Sequence, residues 1–356
     1  MHIPDGYLSP STCGTLYAAA LAGWYGALKS SKRVLLSRII PLISVFAAFS
    51  FVVMMFNLPL PGGTTGHALG VTIAAIVLGP SGAVLALSIA LAIQALFFGD
   101  GGISTLGANC FNMAVLGSLV AYFSYRTIAA GSAFSSRRRV VAAGIAGYLA
   151  VNVAALAAAV EFGLQPMLFH DANGTPLYAP YPLHIAIPAM MTGHLAVAGV
   201  AEAVIAAGLV AYLQVADPGL LNNMAGTGRN ITSAVAGSSR SLERLWITVA
   251  LLMLLTPLGI LAAGKAWGEW SPAVFADDSA RAQVTSASQG QALPPAPPQG
   301  LRRLSTLWTA PFPDYAPRFV KSSPFGYLLS ATFGVGVVLL LSQLVQLWVR
   351  RRRETP

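Results

Sequence analysis

Long apolar runs separated by short polar breaks dominate the chain. Nine stretches, roughly 11–28, 39–57, 67–79, 82–98, 104–125, 140–162, 185–214, 245–263 and 325–348, are almost free of charge. Most approach the length of about 20 apolar residues that a helix needs to cross hydrocarbon. The third and fourth are short, and Gly79-Pro80-Ser81-Gly82 between them breaks a helix and lets the chain reverse within one apolar region. The pattern predicts an all-α integral membrane protein with about nine transmembrane helices.

Two stretches break the pattern. Residues 216–243 are rich in Gly, Ser and Asn and read as a linker. Residues 265–324 run from Lys265-Ala266-Trp267-Gly268-Glu269-Trp270 through a Pro/Gln/Ser-rich middle to Phe312-Pro313-Asp314-Tyr315. The middle, about 277–303, has the composition of a flexible segment. The chain therefore divides into a seven-span unit, 1–215, a linker, 216–243, and a two-span unit, 244–356, whose spans are joined by the loop 265–324. No internal repeat is visible.

Composition sharpens this reading. Only 9% of residues are charged and 55% are hydrophobic, whereas ordinary globular domains carry about 25% charged residues. The formal charge of +9 raises nucleic acid as a partner, but no basic stretch is interleaved with aromatics, and nucleic-acid binding is set aside. The basic residues instead cluster after the first, fifth, seventh and ninth runs: Lys29, Lys32, Arg33 and Arg38; Arg126 and Arg137 to Arg139; Arg229, Arg240 and Arg244; Arg350 to Arg353. Nine alternating spans put all four clusters on one side. The positive-inside rule makes that side the cytoplasm, with the N-terminus outside and the C-terminus inside. The loop 265–324 then lies outside; its basic residues are compatible with this because the rule weakens for loops of about 60 residues.

Several chemistries have no motif here. The sequence holds no G-x-x-x-x-G-K-[ST] loop, no HExxH, no CxxC and no G-x-S-x-G. Cys13 and Cys110 read as small buried hydrophobes. No cofactor is implied.

The N-terminus carries more information. It lacks the basic region of a cleavable leader, and the bulk of His2 protects Met1 from trimming, so Met1-His2 is expected to be the mature start. A free Met1 amine, the His2 amide nitrogen and the His2 Nδ1 close a five- and a six-membered ring on one metal ion. Three such nitrogens favour a square-planar ion: Ni(II), Cu(II) or low-spin Co(II). His67, after Pro61-Gly62-Gly63-Thr64-Thr65-Gly66, is the candidate fourth donor, with a capping or interfacial role as its alternative. Within the glycine-rich stretch 99–113, Asn109 and Asn112 read equally as partners that orient a ligand and as helix-packing amides. His194 and Glu202 lie inside the seventh span, about two turns apart on nearly one face. They read first as a polar pair bonding neighbouring helices, and otherwise as a functional intramembrane pair. His170 and His184 read as solvated loop residues.

Three motifs carry a resemblance: Met-His-Ile-Pro-Asp-Gly-Tyr-Leu-Ser-Pro at the start, Pro-Gly-Gly-Thr-Thr-Gly-His at 61–67 and Gly-Gly-Ile-Ser-Thr-Leu-Gly-Ala-Asn-Cys-Phe-Asn-Met at 101–113. Over about 1–215 the chain resembles the substrate-binding subunit of nickel/cobalt energy-coupling-factor transporters, the NikM/CbiM type. Residues 244–356, with Trp267-Gly268-Glu269-Trp270 and Phe312-Pro313-Asp314-Tyr315, resemble the small partner subunit of the same systems, here fused in a NikMN-like arrangement. The resemblance implies a square-planar site of Met1, His2 and His67 that binds Ni(II) or Co(II) as transported substrate. It also implies a transmembrane coupling subunit and cytoplasmic ATPase subunits as partners. The form of the 61–67 motif resembles nickel members. The rival readings are cobalt uptake for cobalamin synthesis, a lone secondary carrier working through Glu202, and an intramembrane enzyme using His194 and Glu202.

Overall fold

Each apolar run folds as a helix or an arm of one, in a computed structural model that describes residues 1–31, 39–222, 239–262 and 264–354. In chain order these are α1 (Pro10–Ser31), α2 (Ile40–Met54), α3 (Val71–Phe98), α4 (Leu106–Ile128), α5 (Arg137–Leu168), α6 (Leu183–Ala216), the short α7 (Pro218–Asn222) and α8 (Ser239–Leu255). They are followed by α9 (Asp278–Ala287), α10 (Gln299–Leu304) and α11 (Ser323–Glu354). Six segments are long and apolar enough to cross a membrane by length and composition: Val71–Phe98, Leu106–Ile128, Arg137–Leu168, Leu183–Ala216, Leu242–Leu261 and Ser323–Val349. Ile40–Met54 is a shorter apolar helix. Most of the linker expected at 216–243, and with it Arg229, lies outside the described residues, as do Lys32, Arg33 and Arg38.

α3 is bent back on itself. Gly79 adopts φ 72°, ψ 170° ahead of Pro80, a conformation open to glycine and closed to a continuing helix. The consequence is visible at the ends. His67, just before α3, has its ring centroid 5.1 Å from that of His2. Asp100, just after α3, has Oδ1 3.2 Å from His2 Nδ1. A straight helix of 28 residues would hold its ends about 42 Å apart, so the break at Gly79 returns the chain to the end it left.

Packing inside the bundle relies on small residues. One face of α5 buries Ala142, Ala143, Ala146, Ala150, Ala154, Ala155, Ala158 and Ala159, which lets neighbouring backbones approach closely where no hydrophobic effect drives helices together. Leu21, Phe123, Val204, Leu254 and Leu340 remain exposed, the surface that lipid covers in an integral membrane protein.

The loop 265–324 departs from the expectation of flexibility at 277–303. The Asp277 carboxylate caps α9 by accepting from Ala280 N at 3.0 Å. The Arg281 guanidinium donates to the carbonyls of Phe275, Leu293 and Pro294 at 3.1, 3.2 and 2.9 Å. Phe275, Val284, Leu293 and Leu301 are buried. These four apolar residues are too widely spaced to give a period in sequence, yet together they seat the loop on the end of the bundle. A two-stranded antiparallel hairpin, β1 (Leu58–Leu60) and β2 (Thr64–Gly66), lies at the same end, and Thr65 bridges to Ala266 of the loop.

Candidate metal centre

The first nine residues are threaded into the protein. Met1 and His2 are 2% and 1% exposed, and Ile3, Tyr7 and Leu8 are fully buried. Such burial demands partners for the main chain, and they are present. Ile3 N donates to Asn109 Oδ1 at 2.8 Å, and Asn109 Nδ2 donates back to Ile3 O at 3.1 Å. Gly102 N and the Thr105 hydroxyl also donate to Ile3 O. The Asp5 carboxylate accepts from the amides of Ile103 and Ser104 at 3.1 and 2.7 Å. Further along, the Tyr7 hydroxyl donates to Trp270 O at 2.7 Å and Ser9 N donates to Gln165 Oε1 at 2.9 Å. The glycine-rich stretch 99–105 and the loop of the C-terminal unit thus grip the terminus from two sides.

The grip brings three sequence-selected residues together. The Met1 ammonium, the His2 ring and the His67 ring are neighbours, the two rings meeting edge-on at 5.1 Å. Two carboxylates attend them. Glu269 Oε1 lies 3.4 Å from the Met1 nitrogen, and Asp100 offers His2 Nδ1 both Oδ1 at 3.2 Å and its carbonyl at 3.3 Å. Both Asp100 atoms are acceptors, so Nδ1–H donates and the lone pair sits on Nε2, which is buried without a hydrogen-bond partner. His67 Nδ1 faces the Ala68 carbonyl at 3.1 Å; it too is the donor, leaving the lone pair on Nε2. A cavity of about 640 Å³ opens beside His67, Asp100 and Glu269 and is walled by Trp270 and Tyr315.

Electrostatics keep both imidazoles neutral. Burial, opposed in part by Glu269, lowers the His2 pKa to about 4. Burial, reinforced by His2 and the ammonium, lowers that of His67 to about 3. The contact of His2 with Asp100 is therefore a hydrogen bond from a neutral imidazole, not an ion pair, at neutral pH. Burial raises the Glu269 carboxyl against the pull of the ammonium.

The other candidates are placed elsewhere. Asn112 Nδ2 donates to Glu161 Oε2 at 2.8 Å within the bundle, away from the terminus that Asn109 clamps. His194 and Glu202 do not pair with each other. His194 Nδ1–H donates to Met190 O at 2.8 Å, and its Nε2 is buried without a hydrogen-bond partner. The Glu202 carboxylate accepts from the amides of Leu69, Gly70 and Thr72. His170 and His184 are exposed. Cys13 and Cys110 are free and buried. Among the described residues no three His, Cys, Asp or Glu side chains are arranged to hold a metal by themselves. The terminal chelate expected from the sequence would need no such group, because it would take three of its four donors from residues 1 and 2. Sequence reasoning did not single out Asp100, Glu161 or the contact of Glu269 with the terminus; the only hint was Glu269 between two tryptophans at a loop end.

The model of the cobalt uptake substrate-specific transmembrane region, CbiM, matches residues 2–220, more than half of the chain. The chain belongs to the CbiM family. A PDGLE domain matches residues 243–351, so this CbiM-family member is of the fused, NikMN-like type. The fused nickel transport protein NikMN of Rhodobacter capsulatus is 53% identical over 339 residues, 95% of each chain. The cobalt transport protein CbiM of Geobacter sulfurreducens is 33% identical over 278 residues, 76% of this chain and 74% of that one. A crystal structure of a transition metal transporter aligns with a TM-score of 0.57 at 51% identity, covering 60% of this chain and 92% of the other.

Proposed function

We propose that this chain is the metal-capturing subunit of an ATP-driven energy-coupling-factor transporter, and that its substrate is Ni(II). The observation that supports this best is the burial of a charged chain terminus against two neutral imidazoles, an arrangement of little structural use and of direct use to a square-planar ion. The donors are the Met1 amine, the His2 amide nitrogen, His2 Nδ1 and His67 Nε2. To bind, the His2 ring gives up its bond to Asp100 and passes to the Nε2–H tautomer, the proton moving from Nδ1 to Nε2 with none lost, which frees the Nδ1 lone pair for the metal. Two protons leave, one from the ammonium and one from the amide, as one dication enters, so the charge held between Asp100 and Glu269 does not change. A cation that leaves the amide protonated adds a charge to the buried site. Zn(II), which takes tetrahedral sites readily, suits it poorly.

Co(II) is the second reading, favoured by the cobalt description of the matched family and by the Geobacter relative. In either case the site end of the bundle faces outward and receives the ion. ATP is hydrolysed on separate cytoplasmic subunits, coupled through a transmembrane scaffold; the absence of a P-loop from this sequence accords with that division. Inward uptake of radioactive nickel is expected in cells that express this chain with its coupling and ATPase subunits, and to be lost when the ATPase subunits are left out. Undiminished uptake without them would identify a lone carrier instead, and equimolar Ni(II) and Co(II) in the same assay ranks the two ions.

A further inference from the structure

Glu202 is fully buried in α6, and a buried carboxylate is costly unless it is well bonded. Its bonds converge on one short segment. Leu69 N and Gly70 N both donate to Oε2 at 2.8 Å, and Thr72 N donates to Oε1 at 3.1 Å. These amides open α3, where the first turn has donors but no intrahelical acceptors. The usual remedy is a local Ser, Thr, Asp or Asn at the N-cap. Here the N-cap is Gly70 at φ 67°, which has no side chain to offer, and a carboxylate from a distant helix takes its place, also favoured by the positive end of the helix dipole.

His67 stands directly before this clamp. On its other side, β2 is paired with β1 and bridged to Ala266. The segment His67–Gly70 is thus held at both ends, and the Glu202 end reaches the ligand through two residues of main chain. The junction is tight as well. A Cβ at Gly147 of α5 would lie 3.1 Å from Thr72 Oγ1, 3.1 Å from Glu202 O and 3.2 Å from Glu202 Cγ.

We propose that Glu202 is a positioning residue of the metal site, fixing the backbone that presents the His67 imidazole to the ion bound by the terminus. The proposal rests on the reading of His67 as fourth donor. It assigns Glu202 neither ligation nor proton transfer, and it links α6 mechanically to the site.

The test uses the full-length purified chain, Ni(II) as probe, and both the affinity and the d–d absorption of bound nickel. Glu202→Gln keeps one acceptor oxygen but turns its carboxamide NH2, a donor, toward a backbone amide donor. It is expected to weaken Ni(II) by about 10–100-fold, the scale for groups that orient a metal ligand, and to move the absorption toward that of His67→Ala. Added to His67→Ala, the same substitution is expected to change neither quantity, because its effect passes through His67. A folded Glu202→Gln chain that binds as the parent does, or one that loses the same factor in both backgrounds, overturns the proposal. Should Glu202→Gln fail to fold, Gly147→Ala keeps every hydrogen-bonding group and crowds the same junction. Weaker binding with the same spectral shift then supports the proposal, and parent-like binding overturns it. His67→Ala alone separates the two levels: if it leaves affinity and spectrum unchanged, the reading of His67 as a ligand fails, whereas a changed His67→Ala beside an unchanged Glu202→Gln defeats only the role of Glu202.

Discussion

Placing a Gly-Ser pair ahead of Met1 is expected to abolish nickel binding while leaving every side chain intact. The extension converts the Met1 amine to an amide and removes the donor that closes the five-membered ring. On the scale of structural metal sites, each of four donors carries roughly 3 kcal/mol, about a hundred-fold, so loss of the chelate costs on the order of 10⁴-fold or more. Because Met1 is buried, added bulk could act by displacement alone. His2→Ala supplies the control, removing the imidazole without enlarging the terminus, and is expected to lose nickel comparably. Isothermal titration of purified protein, with mass spectrometry of the N-terminus, reads the result. An extended chain that binds one Ni(II) with parent affinity would place the site elsewhere.

The second large effect concerns pH. The terminus is an ammonium in the metal-free protein and the His2 amide carries its proton, so binding releases two protons. The apparent affinity should therefore rise about 100-fold per pH unit. Ordinary imidazoles, with pKa near 6.5, would steepen that dependence below pH 6.5, because protons would compete for them as well. Here they do not: burial holds His2 at about 4 and His67 at about 3, so the slope stays near two protons between about pH 5 and 6.5. Titrations across that range, with proton release followed by a dye, check this; a slope approaching four would mean imidazoles that are accessible and charged. The same shifts act on the fold with a definite sign. Below about pH 6.5 the unfolded chain binds protons at both histidines while the folded one does not, so stability falls on acidification until the folded values are reached.

The helices were legible because a run of about 20 apolar residues has few physical uses, and the bend in α3 was legible because Gly79-Pro80 cannot continue a helix. The fold of 277–303 was not. Its order depends on Val284, Leu293 and Leu301 burying against distant parts of the chain, and widely spaced apolar residues in a polar stretch leave no period to read. Within the site, His2 and His67 could be selected from coordination chemistry alone. Asn109 and Asn112 could not be told apart in sequence; the structure separates them, and the π-helical turn Cys110–Leu116 begins between them. A similar turn at His194–Ala198 lies between His194 and Glu202. The two side chains take different partners, His194 the Met190 carbonyl in its own helix and Glu202 the amides that open α3. The partners of Glu202 are main-chain amides more than a hundred residues away, and no side-chain pattern announces them.

X-ray absorption on the purified full-length chain, loaded with one equivalent of Ni(II), tests the central proposal most directly. The result expected is a square-planar ion with four nitrogen neighbours, one of them an ionised amide, and loss of one imidazole from the shell in His67→Ala. An octahedral ion with mostly oxygen neighbours, unchanged in His67→Ala, would contradict it.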